Sequence, residues 1–138
     1  MIGRRQLPVS STITARSLVR SLAPAFGGGS RDIAALDAEL RRVFGASEVA
    51  LVDSGTSALA MAMRATTRAG GVIALPAYAC VDVGAAALFA QLRVRLYDID
   101  PATLSPDLDS VARVLAAGAS TIVVSHLYGY PADVPGVA

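Results

Sequence analysis

The sequence has no lysine: all 12 of its basic residues are arginine. No side-chain amine is therefore present anywhere in these 138 residues to condense with a carbonyl group. Cysteine is almost as scarce. The single one, Cys80, excludes an internal disulfide and fits a reducing, intracellular setting. Long apolar runs are missing too: uncharged apolar stretches such as Val83 to Ala90 fall far short of the ~20 residues a membrane span needs. Charge is thin, at 17% of residues with a net +1, which gives no electrostatic reason to expect nucleic acid. The one histidine, His126, has no metal-ligand spacing around it, which argues against a metal site. What is present is apolar material: 54% hydrophobic residues are ample for the core of one domain, and the length is too short for two.

Acids are also missing from one region. Residues 1 to 31 carry Arg4, Arg5, Arg16, Arg20 and Arg31 and no carboxylate, whereas the remainder sets seven arginines against eleven acids. An Arg- and Ser-rich start resembles an organelle transit peptide, but Pro8 and Pro24 would interrupt the amphipathic helix such peptides form. The reading adopted is a basic arm, residues 1–28, lying across the acidic body or a partner subunit. No apolar segment of a secretory signal is visible, and the expected location is the cytoplasm.

Four β-rich runs follow: "EVALVD" (48–53), "GVIALP" (71–76), "RVRLYDI" (93–99) and "STIVVSH" (120–126). Each is nearly continuous in apolar residues, as expected for strands buried on both faces of a parallel sheet. Helical spacing fills the gaps. Ile33, Leu36, Leu40 and Val43 share a face, with Ser30 predicted as N-cap and Gly45 as the stop. Residues 56–68 end at Gly70-Gly71, residues 79–91 repeat the pattern, and residues 107–117 follow Ser105-Pro106, an N-cap and N1 pair by type. Strands alternating with helices imply right-handed crossovers and an α/β fold with a mainly parallel sheet. A sheet of four such strands would leave both edges bare, so residues 29–138 read as part of a larger α/β domain.

Three motifs bear on chemistry. In "DSGTSAL" (53–59) small polar residues stand where a strand gives way to a helix. Unpaired N–H groups and the positive end of the helix dipole favour an anion there, with Gly55 allowing close approach and Thr56 and Ser57 adding hydroxyls. The same residues equally suit a plain helix cap by Ser54 or Thr56. The stretch is neither a Walker A loop nor GxGxxG, and "GGGS" (27–30) follows no strand and reads as a hinge. "YDIDPATL" (97–104) is like the DxD motif of haloacid-dehalogenase phosphatases, but that motif wants Thr or Val two residues after the second Asp, where Pro101 and Ala102 follow Asp100 and Thr103 comes one position late. Asp98 is therefore expected to end a strand and Asp100-Pro101 to make a turn. His126 is open to three readings: general base, ligand contact or structural group.

Taken in order, "DSGTSAL" (53–59), "LPAYACVDVGAAAL" (75–88), "VRLYDIDPATLSPD" (94–107) and "VVSHLYGYPAD" (123–133) resemble the DegT/DnrJ/EryC1/StrS family of aminotransferases. The lead-in "FGGGSRDIAALDAELRRVFG" (26–45) is similar as well, so the resemblance covers residues 26–138. It implies the N-terminal half of the large domain of a fold-type-I transferase and the cofactor pyridoxal 5′-phosphate. It implies transfer of an amino group, with glutamate as donor, to a nucleotide-linked keto-sugar of polysaccharide or antibiotic biosynthesis, in a homodimer. Gly55, Thr56 and Ser57 match the element that holds the cofactor phosphate. Cys80 falls where many members place an aromatic ring against the pyridine; cysteine offers a polarisable contact but no ring face, and Tyr78 stands two residues before it. The family's Schiff-base lysine and the carboxylate that partners the pyridine nitrogen match nothing in this chain, so residues 1–138 alone are expected to be inactive. Relatives of the family that remove a sugar hydroxyl at C3 carry histidine in place of that lysine. They form one alternative; a non-catalytic fragment or binder of a phosphorylated ligand is the other.

Overall fold

The computed structural model describes residues 13–22 and 29–137, which fall into two compact units divided between Leu51 and Val52. The first unit contains helix α1 (Ala15–Leu22) and helix α2 (Gly29–Phe44). α1 opens with Thr14 and Ser17 exchanging hydrogen bonds and buries none of its residues. It belongs to the basic arm, most of which, residues 1–12 and 23–28, lies outside the described residues. α2 is braced by the i,i+4 pair Asp37–Arg41 at 2.7 Å and the i,i+3 pair Glu39–Arg42 at 2.5 Å. It ends at Gly45, as expected, with φ +62° in the left-handed region that a helix stop of this kind requires. Ser30 is not its cap: Gly29 and Ser30 are already helical, and the first half of the predicted "GGGS" hinge lies outside the described residues.

The second unit is a three-stranded, wholly parallel sheet with helices on both faces. The elements are α3 (Gly55–Thr66), β1 (Val72–Pro76), α4 (Val81–Phe89), β2 (Arg93–Tyr97), α5 (Leu108–Ala116) and β3 (Thr121–Ile122), followed by a single 3₁₀ turn at Leu127–Gly129. Strand order is β2-β1-β3, with Ile73 opposite Val94 on one side and opposite Thr121 on the other. The alternation of β1 divides the core. Ile73 and Leu75 pack with Ala60 and Met63 of α3 and Ala86 and Ala87 of α4, whereas Ala74 packs with Tyr97 and with Val111 and Val114 of α5.

Two predicted strands are corrected. Residues 48–53 form no strand among the described residues, and Leu51 and Val52 are exposed. The fourth run, 120–126, pairs only over Thr121–Ile122. An apolar run becomes a strand only where a neighbour completes its hydrogen bonds, and no strand pairing among the described residues involves 48–53. A third correction concerns α5: its N-cap is Asp107, whose carboxylate accepts from Ser110 N–H at 2.7 Å, rather than Ser105. β2 ends at Tyr97, one residue before the expected Asp98. The Asp98 N–H donates to Ser110 Oγ, and its carboxylate accepts from Ser110 Oγ and lies 3.5 Å from Arg113. Asp100 makes the expected turn, its carboxylate accepting from Ala102 N–H at 2.7 Å. These bonds occupy the aspartates of "YDIDPATL" in structural roles.

Candidate functional site

The direction of α3 decides where the predicted anion site lies. α3 has 12 residues, roughly 18 Å of rise, and runs back-to-back against β1 through the short turn 67–71. Its C-terminus therefore meets the start of the sheet and its N-terminus reaches the end. α4 leaves the end of β1 and runs the same way as α3. Arg64 near the C-terminus of α3 donates to the carbonyl of Phe89 at the C-terminus of α4 at 3.0 Å, and its guanidinium lies 5.7 Å from the Phe89 ring centroid. Both helices thus open at the C-terminal edge of the sheet, where open α/β sheets place ligands.

At the first turn of α3, Ser54 is the N-cap. Its Oγ accepts from Ser57 N–H at 3.1 Å and donates to Ser57 Oγ at 3.0 Å. The cap is real, yet it consumes one donor only. The N–H groups of Gly55 and Thr56 and the hydroxyl of Thr56 have no partner among the described residues, and the Ser57 hydroxyl proton remains free because its oxygen is the acceptor. A Cβ built on Gly55 meets nothing within 4 Å, so the face of this turn is open space. Capping and anion binding, alternatives at the level of sequence, are compatible here. The first turn holds no basic side chain, so an anion would rest on backbone N–H groups, hydroxyls and the dipole.

Cys80 is the N-cap residue of α4, exposed, with Sγ 3.6 Å from an Asp82 carboxylate oxygen. It lines a mainly apolar cleft of about 210 Å³ together with Leu75, Pro76, Val83, Gly84 and Leu96. The structure brings Gly55, Thr56 and Ser57 together on one turn and Cys80 onto the neighbouring helix at the same sheet edge; no hydrogen bond joins the two groups. His126 is exposed, and its Nδ1 accepts from Ala132 N–H at 2.9 Å, which places the ring proton on Nε2. That bond closes the turn after β3.

One feature of this edge carried no signal in the sequence. Tyr78, in the loop after β1, and Tyr128, in the turn after β3, bring their hydroxyl oxygens to 2.6 Å. Fifty positions separate them, so neither periodicity nor a local motif could pair them. The Tyr128 phenol is held above its ordinary range, first by the hydrogen bond with Tyr78.

Comparison with known proteins identifies the family. Residues 22–138 match the model of the DegT/DnrJ/EryC1/StrS aminotransferase family. A dTDP-4-dehydro-2,3,6-trideoxy-D-glucose 4-aminotransferase from Saccharopolyspora spinosa is 30% identical over 92 residues, covering 66% of this chain and 24% of that protein. The crystal structure of the sugar aminotransferase CalS13 from Micromonospora echinospora superposes with a TM-score of 0.74 at 27% identity, covering 96% of this chain and 37% of that one. An Escherichia coli GDP-4-keto-6-deoxy-D-mannose-3-dehydratase, solved with bound hydrated pyridoxal phosphate, has the same fold, with a TM-score of 0.74 at 21% identity over 93% of this chain and 36% of that one. The chain therefore spans about a quarter to somewhat over a third of the length of these relatives. It belongs to the DegT/DnrJ/EryC1/StrS aminotransferase family.

Proposed function

We propose that the chain is the cofactor-phosphate-binding portion of a pyridoxal-phosphate-dependent aminotransferase acting on a nucleotide-linked keto-sugar, with glutamate as the amino donor. One observation carries the reading. In a chain of this family, the first turn of α3 opens at the C-terminal edge of a parallel sheet with two free N–H groups, two hydroxyls and an open glycine face. The substrate class follows the relatives: the Saccharopolyspora protein is named for a dTDP-linked keto-sugar, and CalS13 is titled a sugar aminotransferase.

In this reading Gly55, Thr56 and Ser57 hold the phosphate, and Cys80 lies beside the pyridine ring at the start of α4. Bound pyridoxal phosphate supplies the electron sink that amino-group transfer requires. The residues of this chain bind and orient; with no lysine among them, none supplies the amine that carries the cofactor and moves the proton. We further read residues 1–28 as an arm at a homodimer interface, residues 29–138 as part of the large domain, and the cytoplasm as the site of action.

Gly55→Val tests the site. A side chain begins there in open space, so folding should be retained while affinity for pyridoxal phosphate falls about tenfold or more. Unchanged affinity, measured by equilibrium titration, would return the stretch to a helix cap. Residues 1–138 alone should show no transamination, and clear turnover by them would overturn the division of labour described here.

A further inference from the structure

Tyr78 and Tyr128 leave adjacent, parallel strands at the same end. The order β2-β1-β3 means that the chain crosses from β1 to one neighbour and then returns to the other side of β1. The gap between the C-terminal ends of β1 and β3 is therefore the switch point of this sheet, where ligands of open α/β sheets bind. The hydrogen-bonded tyrosine pair bridges the two loops that border that gap.

The core does not use either ring: Tyr78 is 57% and Tyr128 76% exposed. A phenol pair in water adds little stability, because each hydroxyl exchanges a bond to water for one to protein. Yet Tyr128 is held at φ +55°, ψ 20°, a left-handed conformation uncommon for a bulky residue, with Gly129 at φ +82° beside it. The turn is fixed by its own bonds. Gly129 N–H donates to the His126 carbonyl at 3.1 Å, Tyr130 N–H to the Leu127 carbonyl at 2.9 Å, and Ala132 N–H to His126 Nδ1 at 2.9 Å. Backbone strain thus places a ring that the fold does not need, a pattern that points to a ligand. Hydrogen-bond accounting adds a donor: one phenolic proton lies between the two oxygens, and the proton of the accepting phenol is left over.

We propose that Tyr128 is a positioning residue that clamps the Tyr78 ring at the β1–β3 crevice, making Tyr78 the aromatic wall for a planar phosphorylated ligand and leaving one phenolic proton for a ligand oxygen. This rests on the cofactor reading above and deepens it. It gives to Tyr78 the contact that Cys80, which has no ring, cannot make.

The chain has four tyrosines and no tryptophan, so its intrinsic fluorescence reports on these rings. Pyridoxamine phosphate, which has no aldehyde to react with amines, is titrated into the wild-type chain and into Tyr78→Leu, Tyr78→Phe, Tyr128→Phe and Tyr130→Phe. Tyrosine quenching and the circular dichroism induced in the bound ligand are followed, with inorganic phosphate titrated in parallel. Tyr78→Leu should weaken pyridoxamine phosphate about tenfold and abolish the induced signal. Tyr78→Phe should recover most of that loss, and Tyr128→Phe should weaken binding about threefold while reducing the induced signal. Tyr130→Phe should match wild type, and inorganic phosphate should bind every variant alike. Wild-type affinity and an undiminished signal in both Tyr78→Leu and Tyr128→Phe would overturn the clamp while leaving the cofactor reading intact. Wild-type protein that binds inorganic phosphate but not pyridoxamine phosphate would overturn both.

Discussion

The two ends of the sheet treat their polar groups in opposite ways. At the N-terminal end several polar groups pair across elements. The buried Thr67 hydroxyl donates to Thr121 Oγ1 at 2.8 Å, Thr121 Oγ1 donates to the Thr66 carbonyl at 2.9 Å, and Arg93 Nε donates to the Gly70 carbonyl at 3.1 Å. At the C-terminal end, the first turn of α3 keeps free N–H groups, Cys80 is exposed, and two tyrosines meet in water. Polar residues of similar types are consumed by the fold at one end and left available at the other. Availability, rather than residue type, marks the functional edge.

The largest test of that difference uses glycine. Gly71, at the closed end, is buried, and a Cβ there would meet the Arg68 carbonyl oxygen at 2.8 Å and Thr67 Cγ2 at 2.9 Å. Backbone must shift to admit it, so Gly71→Ala should cost about 1–3 kcal/mol in urea unfolding. Gly55 at the open end meets nothing. If Gly71→Ala were neutral, the contrast between a closed and an open end would fail.

Tyr97 gives a smaller and more particular effect. It ends β2, close to the open edge, yet it is only 1% exposed and its hydroxyl donates to the Val123 carbonyl at 2.7 Å. Burial pushes its phenol from the ordinary 10.0 up to about 12. The folded state therefore keeps its proton after the unfolded chain has released it. This contribution is full below pH 10 and is lost progressively as pH rises toward about 12. Tyr97→Phe should cost about 1 kcal/mol at neutral pH and flatten the decline between those values, as followed by unfolding at a series of alkaline pH values. An unchanged alkaline decline would show that Tyr97 is not the buried group responsible.

The comparison also explains what the sequence made legible. Three of the four predicted runs contain strands, and the helices fall where their periodicity puts them. Both are local properties: Ile73 and Leu75 are apolar on one face and Ala74 on the other because a buried strand must be. Residues 48–53 have the same composition and form no strand, because pairing depends on a neighbour that composition cannot reveal. Caps erred in a similar way. Ser105-Pro106 has the right residue types, but Asp107 captures the Ser110 N–H and moves the start of α5. At the candidate site, Gly55, Thr56 and Ser57 were legible because helix-terminus chemistry is written in consecutive residues. The Tyr78–Tyr128 pair was not, since only the order β2-β1-β3 brings those loops together.

The smallest expected effect falls on Ser54, the N-cap of α3. Ser54→Ala removes the oxygen that accepts from Ser57 N–H, which should cost about 0.5–1 kcal/mol of stability in the absence of ligand. The same change releases a third backbone N–H at the turn and frees Ser57 Oγ from the Ser54 proton. If the turn is only a cap, inorganic phosphate should leave the deficit untouched. If it is an anion site, phosphate bound to the freed donors should restore part of the lost stability, raising the unfolding midpoint of Ser54→Ala more than that of wild type. A deficit that stays constant across a phosphate titration would assign these residues to capping alone, and the open edge of the sheet would lose its best-defined group of donors.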